Sequence, residues 1–507
     1  MTIAGAASRA ALRAAGERVL LVEADGPSRT GRELEARVQA LSRALVERGL
    51  AGRRIGLWYW NSAAGVEAHL AVEWVAATRV PVDPGAPAAE AQAVFAAAEV
   101  EAVLVDGAHQ QLAGALLHDE EESLAAPGSL EAMPVPPDRT ALLYPRMAAA
   151  GGLLAVPISY ANWAANIRLN TSLYRSGAYG PGFGDDERFL TAQQLPHGTG
   201  ILGSFPFLHM GLPQVLLRRF DADAFVDAAL RHRATATFFV PGMVTRLADA
   251  LERSGRTAVP PLRRLLYGGA PIALDDLVRA VERIGSVLVQ VYGRFEGGWP
   301  LAVLGVDDHA RIAAGDTALA ASCGRPVDGI EFRVRSVPGQ PPGRGELSVR
   351  GATVVAQYAD PDGWCALGDV AWLDEAGYLY LGGRLDGMIN TGSYHVYPRE
   401  VEEAIAAVPG VRGALVRGEP DPTWGEAVTA YVIPEDPASG EQLTERIRRA
   451  LEARLARYKL PKRLYLVGSL NTLPPGPPRQ LTAGMQDRAS DGMARCIGRL
   501  TCSVPGM

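Results

Sequence analysis

Cysteine is scarce in this chain: four in 507 residues, at Cys323, Cys365, Cys496 and Cys502. They follow neither metal-ligand spacing nor a disulfide framework, which predicts a reducing compartment. Excess positive charge is missing too. The formal net charge is −6, and arginine pairs such as Arg218/Arg219 and Arg263/Arg264 sit among acidic residues, which excludes a nucleic-acid partner. No stretch approaches the roughly 20 apolar residues that span a bilayer. The opening MTIAGAASRAALRAAGERVL lacks the apolar run and cleavage site of a secretory signal. The expectation is a cytoplasmic protein with no membrane partner. There is no internal repeat, no carrier domain and no phosphopantetheine attachment segment.

What is present fits a globular protein: 48% hydrophobic and 21% charged residues, over a length that predicts two or more domains. Thr30 and Glu33 form a capping box ahead of the amphipathic series Leu34, Val38, Leu41 and Leu45, so a helix is expected there, ending near Gly49. The short apolar runs RRIGLWY, ATRVPV and VEAVLV alternate with helical patterns over 62–76 and 86–98, which predicts α/β layers around a mainly parallel sheet. Further strands are expected at GILGSFPF, ATFFV, LRRLLYGGAPI and SVLVQVYG, with helices over 162–173 and from Asp221 or Asp223. From about 329 the segments GIEFRVRS, GRGELSVRG and GYLYLGG alternate in polarity and read as an antiparallel subdomain. The last unit combines the helices REVEEAIAAV and GEQLTERIRRALEARL with the strands GALVRGE and AVTAYVIP.

The segment GWCALGDVAWLDEAGYLYLGGRLDGMINTGSYHVYPREVEEAI, with YGGAP at 267–271, GELSVRGATVVAQY at 345–358 and RYKLPK at 457–462, resembles the adenylate-forming superfamily: acyl-CoA and aryl-CoA synthetases, luciferases and peptide synthetase adenylation domains. The resemblance covers about residues 10–483. It implies an α/β fold: a large N-terminal domain over 1–385, with parallel-type sheets and a small antiparallel barrel-like subdomain at 329–385. A small mobile α+β lid with a loosely ordered tail follows at 386–507. It further implies that Asp369 binds ribose hydroxyls, that Arg384 lies near the nucleotide sugar, that Asp386 is the hinge, and that Gly268 and Gly269 lie against adenine.

The chain departs from the family pattern where phosphate would bind. Aligned without a gap on Ser159 and Asn162, the loop Thr-Ser-Gly-Ser/Thr-Thr-Gly-x-Pro-Lys-Gly falls on Arg146 to Ala155, where only Gly151 agrees and Leu154 takes the lysine position. The late catalytic lysine corresponds to Gln480, in LPPGPPRQ. In YGRFEGG the expected threonine is Phe295, while Tyr292 and Glu296 remain. The threonine before Gly368 and Asp369 is Leu367. Backbone N–H groups, hydroxyls and a cation hold a triphosphate, so these replacements predict weakened ATP and Mg²⁺ binding.

Three readings follow. The first is a noncanonical enzyme of specialised metabolism, without ordinary adenylation, processing an acyl or aryl substrate. Its polar groups would be His209, Glu296, Arg294 and Tyr292, and its apolar wall Phe207, Met210, Phe238 and Phe239. The second is an unusual ATP-dependent aryl- or acyl-acid ligase acting with CoA or a carrier protein. The third is a noncatalytic protein that binds a metabolite or a carrier. A separate acyl carrier protein and a homodimer are the macromolecular partners the resemblance allows, and no resident metal is expected.

Overall fold

The computed structural model describes residues 2–3, 5–112, 115–117, 130, 133–147, 153–337, 342–385, 387–436 and 440–467. Two sheets with parallel cores form its larger part. The first orders its strands as Leu153–Ser159, Thr140–Met147, Thr78–Pro81, Arg54–Trp58, Ala102–Val105 and Ala115–Leu117. The second has nine strands, and its centre runs Leu288–Arg294, Arg264–Gly268, Ala236–Phe239, Phe189–Thr191, Gln214–Leu216 and Val19–Glu23, all parallel. Strands such as Arg264–Gly268 are buried along their whole length, which matches their continuous apolar character.

The helix Gly31–Glu47 starts as its capping box predicts: Thr30 Oγ1 accepts the Glu33 N–H, and Glu33 accepts the Thr30 N–H in return. The N-cap of Ala222–His232 is Asp221. One expectation is overturned. GILGSFPF is no strand; it belongs to the helix Gly198–His209. Its apolar run is buried all round, so period alone could not separate helix from strand. The glycines carry the close contacts: a Cβ on Gly200 would meet the Gln194 carbonyl oxygen at 2.1 Å, and one on Gly203 would meet Phe189 and Phe238 at 3.3 Å.

Glu331–Ser336, Gly345–Arg350, Cys365–Leu373 and Leu379–Arg384 form an antiparallel sheet. A separate core, including Ile389, Val401, Ile405, Val416, Val432, Leu443 and Ile447, holds the C-terminal unit together. There the helices Pro398–Ala406 and Gly440–Glu452 accompany the long hairpin Val411–Asp421/Gly425–Pro434. No helix among the described residues is long and apolar enough to cross a membrane.

His309 is buried, its Nδ1 on the Gly305 carbonyl at 2.7 Å and its Nε2 2.9 Å from the Tyr267 hydroxyl. Burial lowers its pKa to about 4, against about 6.5 in an unfolded chain. Below the unfolded value only the unfolded state takes up the proton, so this contribution is complete above about pH 6.5 and is lost as pH falls towards the folded value. About 3 kcal/mol is expected to disappear across that window. Urea midpoints at neutral pH and near the folded pKa, in the parent and in His309→Gln, check it: the variant's midpoint should fall less.

Candidate active site

The parallel strands of the nine-stranded sheet end on one side, where open α/β sheets place ligands. Gly268 and Gly269 follow the strand Arg264–Gly268 there. A Cβ on Gly268 would lie 2.1 Å from the Val291 carbonyl oxygen, and one on Gly269, at φ +87°, would lie 2.5 Å from Ser393 Cβ. Ser393 belongs to the C-terminal unit, between the strands Ile389–Thr391 and Tyr394–Val396. Its hydroxyl donates to the Gly268 carbonyl at 2.9 Å, and the Asn390 side chain donates to the Gly269 carbonyl. In this arrangement the glycines give room to that hairpin.

Asp369 and Arg384 are cross-strand partners. Asp369 Oδ1 accepts from Arg384 Nη1 at 3.0 Å, and Oδ2 accepts from the Tyr292 hydroxyl at 2.6 Å. Burial, reinforced by Asp369, raises Tyr292 well above its ordinary pKa and keeps it a neutral donor. Arg294 Nη2 lies 3.6 Å from Glu296 Oε1. Burial opposes the charged form of Arg294, but Asp369 and Glu296 outweigh it and raise its pKa. An ionised carboxylate offers about four lone-pair positions, so Asp369, with one bond to each oxygen, retains capacity for a sugar diol. This end fits a nucleoside.

The region where the family resemblance expects phosphate is different. Phe295 stacks on Tyr144, with centroids 3.7 Å apart and planes at 25°, and its ring covers Gly198, where a Cβ would meet it at 2.6 Å. Residues 148–152 and the side chains of Arg146, Leu153 and Leu154 fall outside the described residues, as do Asp386 and Gln480. Burial pushes the Cys365 thiol up to about 12, which removes it as a nucleophile.

Several expected wall residues are core. Phe207 and Phe239 are fully buried and Phe238 nearly so; Phe207 packs on Tyr174 and Phe189, Phe239 on Phe220 and Phe225, and Phe238 on Trp299. Met210 is half-buried against the core that contains Phe207 and Phe238. His209 lies away from the cleft. It closes a helix of 12 residues, about 18 Å long, whose other end meets the cleft. Both its ring nitrogens are buried without a hydrogen bond, and burial lowers its pKa.

The residue at the cleft end is His197, which the sequence reading passed over. It caps the helix Gly198–His209, and its Nε2 lies 2.7 Å from Asp83 Oδ2. Asp83 follows the strand Thr78–Pro81 in the other sheet. The Pro-His-Gly and Asp-Pro-Gly turns at strand ends were the available signal, but 114 residues separate the partners. Together they line a cavity of about 120 Å³ between the larger part and the C-terminal unit, with Phe295, Glu296, His395, Tyr397 and Lys459. Tyr394 sets its ring edge-on to His197 at 4.7 Å. Lys459 reaches Glu90 across the cleft and Glu400 at 2.8 Å within its own unit. Among the described residues no cluster of His, Cys, Asp and Glu is arranged to hold a metal ion.

Comparison with known proteins agrees with this architecture. The amide bond synthetase McbA from Marinactinospora thermotolerans superposes with a TM-score of 0.79 at 30% identity, over 91% of this chain and 96% of that one. A medium/long-chain-fatty-acid–CoA ligase of Mycobacterium tuberculosis is 30% identical over 73% of this chain and 65% of its own length. A feruloyl-CoA synthase of an Amycolatopsis species is 36% identical over 57% of this chain and 59% of its own. The chain thus spans about 59–65% of the length of these curated relatives. The family model for AMP-binding enzymes matches residues 8–147 and 155–359, with a break over 148–154. With the C-terminal domain of those enzymes also matched at 400–474, the chain belongs to the AMP-binding enzyme family.

Proposed function

We propose that this protein is a carboxylic-acid ligase: it activates an aryl or acyl acid with ATP and transfers the acyl group to a nucleophile beneath the C-terminal unit. The observation that carries this reading is the shared cleft, in which Ser393 and Tyr394 of one unit meet Gly268, Gly269 and His197 of the other. A transfer step needs its acceptor enclosed and oriented beside the acyl carbon. ATP supplies the adenylate leaving group that makes a carboxylate electrophilic. Asp369 and Arg384 would hold its sugar, and Glu296 would hold Mg²⁺. A cytoplasmic small-molecule enzyme fits this reading, with a carrier protein or a second copy of the chain as optional partners.

A second reading, acyl processing without ATP in specialised metabolism, is favoured by one observation. Phe295, where the family resemblance expects a phosphate-binding hydroxyl, stacks on Tyr144. Pyrophosphate release with a panel of aryl and fatty acids separates the two: ATP-dependent release supports the ligase, and its absence with every acid overturns it. Phe295→Thr opens the space over Gly198 and returns a donor. If the ligase reading holds, the variant is expected to raise the release rate about tenfold, the equivalent of one added hydrogen bond.

A further inference from the structure

The cleft contains a proton acceptor separate from the Asp369, Arg384 and Tyr292 group. Asp83 is fixed by its surroundings: Oδ1 accepts the Gly85 N–H at 2.6 Å, and its own carbonyl accepts from Trp58 Nε1 at 3.0 Å. Burial would raise its pKa, but the hydrogen bond from His197, the Gly85 N–H and the charge of Lys459 bring it below the ordinary value. Asp83 is therefore a carboxylate, and a carboxylate partner assigns the proton to His197 Nε2 and the lone pair to Nδ1. Nδ1 makes no hydrogen bond among the described residues, and the ring is about one-fifth exposed to the cavity. The imidazole is held on both sides. Its peptide follows Pro196, whose carbonyl accepts the Tyr144 hydroxyl, and Tyr394 closes on its face from the C-terminal unit. Tyr394 in turn stacks on Tyr458 at 4.3 Å. The cavity wall has four carboxylates, Asp83, Glu90, Glu296 and Glu400, and one lysine, Lys459.

Resting on the ligase reading, we propose that His197, oriented by Asp83, is the general base of the transfer step and that the acceptor is a small primary amine. An alkyl amine reaches the site as an ammonium, with a pKa near 10, and must shed protons to attack; a thiol, near 8.5, ionises far more readily without help. A wall rich in carboxylates concentrates cations. In the step, His197 Nδ1 takes one proton from the ammonium, the freed nitrogen pair bonds to the acyl carbon, and the bond from that carbon to the phosphate oxygen breaks. AMP departs with the electron pair, and the second N–H proton leaves with its phosphate. His197 is the catalytic residue and Asp83 the positioning residue.

The test leaves ATP out. The protein is given preformed benzoyl-, cinnamoyl- or hexanoyl-adenylate with benzylamine, CoA or hydroxylamine, and product formation is followed. Amide is expected to form faster than CoA thioester. Asp83→Asn and His197→Gln should each lower kcat for benzylamine about 100-fold, with KM for the amine unchanged. Hydroxylamine attacks as a neutral molecule, so its acylation should stay within a few-fold of the parent rate. Unchanged aminolysis in both variants, equal losses with hydroxylamine, thioester outpacing amide, or no acylation of any acceptor would each overturn the proposal. Failure of pyrophosphate release from free acids would sink the ligase reading alone, because this assay bypasses activation.

Discussion

Arg264→Met is expected to lower the free energy of unfolding by about 3–5 kcal/mol, the cost of stranding one member of a buried ion pair. Arg264 and Glu187 are both fully buried, with Nη1 and Oε1 2.5 Å apart. Arg264 also donates to the Pro181 carbonyl at 2.6 Å, and Glu187 takes the Thr235 hydroxyl and Arg263 at 3.0 Å. Without Arg264, Glu187 keeps only the half-exposed Arg263 as a counter-charge. Replacing both partners by apolar residues of similar volume should restore most of the loss, since the desolvation cost then vanishes with the pair. Urea unfolding of the two single variants and the double variant measures the coupling; additive losses would show that the pair does not act as a unit. Arg264 begins its strand and the cleft lies beyond the strand's far end, so the folded variant should keep its chemistry.

The second large effect concerns activity. Asp369→Ala should reduce ATP-dependent pyrophosphate release by about 10²–10⁴-fold, because it removes an ionised acceptor worth about 1.5–3 kcal/mol for each of two sugar hydroxyls. It also leaves the Tyr292 hydroxyl and Arg384 without their shared carboxylate. Asp369→Asn should fall between parent and alanine. Isothermal titration with ATP checks the same point without turnover: Kd rises in the variants if the carboxylate holds the sugar. Unaltered ATP affinity would remove Asp369 from the nucleotide site.

Much of the fold was legible because local signals and long-range packing agree. The Thr30/Glu33 box, the Asp221 cap and the strands at Arg54–Trp58, Arg264–Gly268 and Leu288–Arg294 are local patterns that the tertiary structure keeps. Gly198–His209 was missed because the same apolar letters suit any element buried on every side. His209 and Phe207 entered the candidate site through the family resemblance, which carries no information about the helix they share. The converse omission was His197. Its meaning depends on Asp83 in the other sheet and Tyr394 in the C-terminal unit, and no spacing rule joins three distant points of a chain. The Asp369–Arg384–Tyr292 group was legible only through family resemblance; its hydrogen bonds come from the register of two antiparallel strands against a third from another sheet.

Lys459 has one carboxylate partner on each side of the cleft. Glu400 sits on the helix Pro398–Ala406 in the same unit, while Glu90 belongs to the helix Ala88–Ala97 across the gap. Were the halves to part, the ammonium would keep its companion and the released glutamate would meet water. Neither ion is orphaned at any stage, so the joint behaves as a reusable fastener rather than a bond that must be broken at full cost.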